Sequence, residues 1–119
     1  MEAKFPDIVA RLRRSVTQIQ AVLLAGPRGV IDYVVDDPAM KLETIAEEYA
    51  TLLRIARSAS EDSGAGDLLE NILVSEKSVM IARSIPPDQY LILVFAAPYQ
   101  IGRARYELKQ AAWDCRGDL

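Results

Sequence analysis

A sheet layered between helices, one helix on one face and two on the other, is the fold class this sequence predicts, and three observations predict it. Along the 119 residues the apolar pattern changes period in the order α-β-β-α-β-β-β-α. The links between neighbouring strands are too short for parallel crossovers, so the five expected strands pair mainly antiparallel. Each helical stretch carries an apolar stripe that only a sheet face or another helix can cover, and an α/β sandwich covers all of them.

The first helix is expected over about residues 6–17, because Phe5, Ile8, Val9, Leu12, Val16 and Ile19 recur every three to four residues while Arg11, Arg13 and Arg14 fall largely elsewhere. "QAVLLAGPRGVIDYVVDD" follows. Gly26, Pro27 and Gly29 divide two β-branched apolar stretches, giving strand, tight turn, strand, with Arg28 at the tip. A phosphate loop at "GPRG" is disfavoured, since the Walker spacing and its lysine are missing and a strand comes next. Asp36, Asp37 and Pro38 form a start signal for the second helix: a carboxylate accepts an orphan helix N–H and proline fits the first turn.

Leu42, Ile45, Ala46, Tyr49, Leu52, Leu53 and Ala56 make the second stripe, about four turns long, and Glu43, Glu47 and Glu48 precede Arg54 and Arg57 in the order that suits the helix dipole. Ile55, with Thr51 and Ala59 near it, projects roughly 110° from the centre of that stripe. It is either an isolated exposed isoleucine or part of a second contact surface. "SEDSGAGD" ends the helix, and "ILVSEKSVMIARSI" reads as a hairpin with a connection spanning Ser75 to Ser78. "QYLILVFAA" is apolar at almost every position, which is expected of a strand covered on both faces, so it is placed at the centre of the sheet. "LLENILVS" carries Glu70 and Asn71 on opposite faces and suits an edge. The last helix, after Pro98, has two sides. Ile101, Ala104, Leu108, Ala111, Ala112 and Cys115 approach the sheet, while Tyr99, Tyr106 and Trp113, spaced by seven, either pack on the first helix or form a partner patch.

Composition bounds the function. One domain over residues 1–119 is the simplest organisation, with half the residues hydrophobic and 26% charged. A net charge of −3 gives no electrostatic footprint for nucleic acid. No run of about 18 uncharged apolar residues and no signal peptide is visible, so a cytoplasmic protein that does not insert into membranes is expected. Cys115 is the only cysteine and histidine is absent, which removes disulfide frameworks, Cys/His zinc sites and His-dependent triads. The remaining acid/base candidates are the pairs Asp36–Asp37 and Glu47–Glu48, better explained as helix caps and a solvated face. Ser75, Ser78 and Ser84 lack a base motif, and no acidic loop has cation-binding spacing. The expectation is therefore no catalytic residue, no metal and no cofactor.

The element order, together with "AVLLAGPRGVIDYVV", the long helix over 42–59, "GDLLENILVSEKSVMIARSI", the proline–aspartate break and "YLILVFAAPYQIGRARYELKQAAW", resembles the Roadblock/dynein light chain family, in particular its stand-alone MglB-like prokaryotic members. Ser78 departs from the glycine common in relatives after the "EK" tip. The resemblance implies a profilin-like sandwich with strand order 2-1-5-4-3 and a non-catalytic homodimer in which the third strand pairs with its twin. It implies a dimer interface of Leu69, Ile72, Leu73 and Val74 on that strand with Thr51, Ile55 and Ala59 on the middle helix. It also implies a Ras-like small GTPase as partner, with GTP hydrolysis accelerated without a donated arginine, and Glu43, Glu47, Glu48, Arg54 and Arg57 as the candidate partner surface. The competing readings are a structural adaptor or a small-ligand sensory module. The latter needs a cavity, whereas core positions rich in Leu, Ile and Val predict a filled interior.

Overall fold

The computed structural model describes residues 4–116. Helix α1 (Phe5–Ser15) leads into strands β1 (Ile19–Gly26) and β2 (Gly29–Val35), followed by α2 (Leu42–Asp62). Strands β3 (Glu70–Val74), β4 (Val79–Ile85) and β5 (Gln89–Phe95) come next, and a 3₁₀ turn at Pro98–Gln100 opens α3 (Ile101–Arg116). The five strands form one sheet in the order β2-β1-β5-β4-β3, every pair antiparallel. The predicted class, order and central strand are those observed.

The sheet separates two apolar cores, and β5 shows why its sequence does not alternate. Leu91, Leu93 and Phe95 face the layer of α1 and α3, while Ile92 and Val94 face α2. On the two-helix side Ile8 and Leu12 of α1 meet Ala104, Leu108 and Ala111 of α3 over Val22 and Ile81. Full burial of each large aliphatic chain there contributes about 1.5–3 kcal/mol. On the other side α2 buries only Ile45 and Leu53 deeply, against Leu23, Met80 and Ile92, and leaves Tyr49 and Leu52 half-buried. That layer is the looser of the two.

One local expectation needs correction, and two others gain detail. Asp36 and Asp37 do not cap α2, whose N-cap is Lys41 with no side-chain cap bond. Asp36 instead pairs with Arg13 at 2.8 Å, and Asp37 accepts the Ala39 N–H at 2.9 Å and the Gln20 amide at 3.1 Å, so these carboxylates shape the turn before the helix. Helix α2 runs on to Asp62, where the Ser63 N–H reaches the Ala59 carbonyl, the Ala65 N–H reaches that of Ser60, and Gly64 takes a φ of +83°. Tyr99, Tyr106 and Trp113 are exposed, Tyr99 by 81%, and none belongs to the buried core that α1 shares with α3. The small side of α3 takes the α1 contact, and Arg11 joins the two helices through Asp114 and, at 3.9 Å, Glu107.

Gln100 closes the two-helix layer. This buried amide accepts the Thr17 N–H at 2.7 Å and donates to the Thr17 carbonyl at 2.8 Å, so it satisfies both main-chain groups of a residue between α1 and β1.

Candidate interaction surfaces

The β3–β4 register places Ile72 opposite Ile81 and Leu73 opposite Met80. Ile81 belongs to the core under α1 and α3 and Met80 to the core under α2, so Ile72 and Leu73 emerge on opposite faces of the sheet. Both are exposed, as are Leu69 and Val74, the latter by 59%. Strand β3 has a neighbour on one side only, so its outer main-chain edge has no strand partner. A margin whose side chains and backbone are both uncovered is able to pair with a further strand. Its beginning is anchored differently: Glu70 receives Arg105 of α3 at 2.7 Å and Arg83 of β4 at 3.8 Å. The hairpin closes with the Ser75 N–H on the Ser78 carbonyl at 2.8 Å, the four-residue connection expected, and Ser78 Oγ donates to Gln20 at 2.7 Å.

The opposite edge, β2, also exposes Ile31 and Tyr33, but it is blunted. Asp32 stands between them, and its carboxylate accepts the Tyr33 N–H at 2.9 Å, occupying a main-chain donor of that strand. No charge interrupts Ile72, Leu73 and Val74.

On α2, Ile55 is 62% exposed, Ala59 is exposed and Thr51 is half-buried with its hydroxyl on the Glu47 carbonyl at 3.0 Å. These three share one side of the helix. Glu43, Glu47, Arg54 and Arg57 fall within an arc of roughly 80° on another side, whereas Glu48 lies about 100° beyond Glu47, toward Ile55. All five are exposed except Arg57, which is partly covered and pairs with Glu61 at 3.4 Å. The helix thus presents a mixed-charge side and a more apolar side. Among the described residues no group of three or more His, Cys, Asp or Glu is placed to hold a metal ion, and no helix is long and apolar enough to cross a membrane.

A five-stranded antiparallel sheet in the order 2-1-5-4-3, one helix on one face and two on the other, with an apolar third strand at its margin, is the fold of the Roadblock/LC7 and MglB structures. No family model and no curated protein matches the chain. Solved structures do. The chain superposes on MglB of Myxococcus xanthus with a TM-score of 0.80 at 15% identity, covering 97% of this chain and 96% of that one. With MglC of Myxococcus xanthus it shares 29% identity over 97% and 98% of the two chains, at a TM-score of 0.66. A Roadblock/LC7 domain from Streptomyces avermitilis is similar at a TM-score of 0.75, with 16% identity over 98% and 97%.

Proposed function

We propose that this chain is a homodimeric regulator or scaffold that binds a Ras-like small GTPase, acting through shape and not through chemistry of its own. The observation that carries the reading is the β3 margin, Leu69 with Ile72, Leu73 and Val74, exposed in an MglB-like fold, together with the exposed Ile55 of α2. Pairing of β3 with its twin across a two-fold axis would continue the sheet and cover these side chains, and Thr51, Ile55 and Ala59 would meet their counterparts on the same face. An MglB solved in a tetrameric arrangement, of the same fold at a TM-score of 0.75, supports self-association as a property of such chains.

The GTPase assignment rests on the likeness to MglB and MglC, and the mixed-charge side of α2, with Glu43, Glu47, Arg54 and Arg57, is the proposed docking face. Glu48 belongs with the dimer side instead. The partner's hydrolysis would be accelerated by repositioning of its own residues. The test is capture of Ras-like GTPases loaded with GDP or with a non-hydrolysable GTP analogue, followed by single-turnover hydrolysis. Preferential binding of the GTP form is expected; equal affinity for both forms with unchanged hydrolysis contradicts a regulatory role.

A further inference from the structure

Where α2 crosses the tip half of the β1–β2 hairpin, both surfaces carry small side chains. Ala46 and Ala50, one turn apart on the helix, look across at Ala25, Gly26 and Gly29, and the β1–β2 register shifts between Leu24 and Ala25. The result is a solvent-connected cavity of about 280 Å³ at the flank of the helix, above a core in which Leu23 and Ile92 are closed off from water. Leu23, Leu53 and Ile92 lie closed beneath it, and the apolar surface open to it comes from Ala25, Val30, Ala46 and the rings of Tyr49 and Tyr90.

Polar groups sit around that surface in a restricted set. Tyr49 of α2 and Tyr90 of β5 line the cavity, and neither hydroxyl makes a hydrogen bond among the described residues. Burial raises the pKa of both phenols, so each is a neutral donor at physiological pH. Arg54 and Arg57 line it as well, with Asp88 as the one carboxylate. Glu61 engages Arg57, whereas Arg54 makes no ion pair among the described residues.

We propose that this cavity binds a small amphipathic carboxylate, its apolar body on Val30, Ala46 and the two tyrosine rings and its anionic head at Arg54 and the two tyrosine hydroxyls. The volume lies at the small end of ligand pockets, which suits a body of roughly six to ten carbon atoms. The site is complete within one chain and requires neither a second copy nor a GTPase.

Octanoate titrated into the isotope-labelled chain tests this by amide NMR, with octylamine and butyrate as the matched cation and the short anion. Saturable shifts centred on Ala25, Tyr49, Leu53 and Tyr90 are expected with octanoate alone. Arg54→Gln weakens that binding at least about fivefold with the spectrum otherwise preserved. Ala46→Leu, which fills the hollow, weakens it at least about tenfold, and Ala50→Leu does the same at the mouth should the first variant fold poorly. Equal binding of octylamine overturns the anionic head, and equal binding of butyrate overturns the apolar body. Octanoate shifts centred on β3 or the α3 aromatics, or unchanged binding by both filled variants, overturns the site itself.

Discussion

Gln100 ties the chain leaving β5 to the chain entering β1, and its cost of removal is calculable in outline. Gln100→Leu keeps the size and removes the partner of the Thr17 N–H and carbonyl, which are part-buried on an exposed residue, so a loss of roughly 1 kcal/mol is expected in urea unfolding. A change below about 0.5 kcal/mol would mean that water replaces the amide at no expense. The tyrosines of the cavity make a pH prediction. Tyr49 and Tyr90 have folded-state pKa values above 10.0 because burial disfavours the phenolate. A raised folded value contributes stability that is present below pH 10 and is lost as pH rises through it. The melting temperature should therefore fall in alkali beyond pH 10, and Tyr49→Phe with Tyr90→Phe should reduce that fall. Nothing in the sequence singled out Gln100: one glutamine after a proline has no signature until Thr17, far away in the chain, becomes its neighbour. Asp36 and Asp37 misled for the same reason, since a local capping motif was overridden by Arg13 and Gln20 from other elements.

At the scale of elements, hydropathy was informative wherever burial was complete. The unbroken "QYLILVF" of β5 placed it at the centre of the sheet, the interrupted β3 at the margin, and the small side of α3 against α1 and the sheet. It failed where burial was partial. The stripe of α2 is continuous in sequence, yet Ala46, Ala50 and the glycines of the hairpin are too small to close the gap, and apolar periodicity records direction but not depth. The α3 aromatics turned outward because seven-residue spacing fixes a common side without saying what faces it. Strand β3 makes the sharpest element-level prediction. Ile72→Ala combined with Ile55→Asp should raise the dimer dissociation constant by about two orders of magnitude or more while the circular dichroism spectrum stays that of the parent. Hydrogen exchange at β3 should accelerate in the variant, whereas Ile31→Ala on the blunted β2 edge should leave both properties unchanged. Loss of the dimer through Ile31 would place the interface on the other edge.

For the whole molecule, two surfaces and a cavity share one helix. The apolar side of α2 with Ile55 is proposed for the dimer seam, its mixed-charge side is the proposed GTPase face, and its side toward the β1–β2 hairpin walls the cavity. Arg54 and Arg57 belong to both the charged side and the cavity lining, so occupancy of the cavity should alter GTPase binding more than it alters self-association. Adding octanoate to the GTPase capture assay measures that directly; an unchanged affinity at saturating octanoate would show the two sites to be uncoupled. The proposed regulator acts as a pair of copies, because a β edge apolar on both faces and open along its backbone invites pairing with another strand until it is covered. Sedimentation equilibrium from low micromolar to several hundred micromolar protein is the most direct measurement of that claim. A mass of twice the 13.2 kDa chain, falling to the single-chain value in the Ile55 and Ile72 double variant, is the predicted result. A constant 13.2 kDa across the whole range would contradict it.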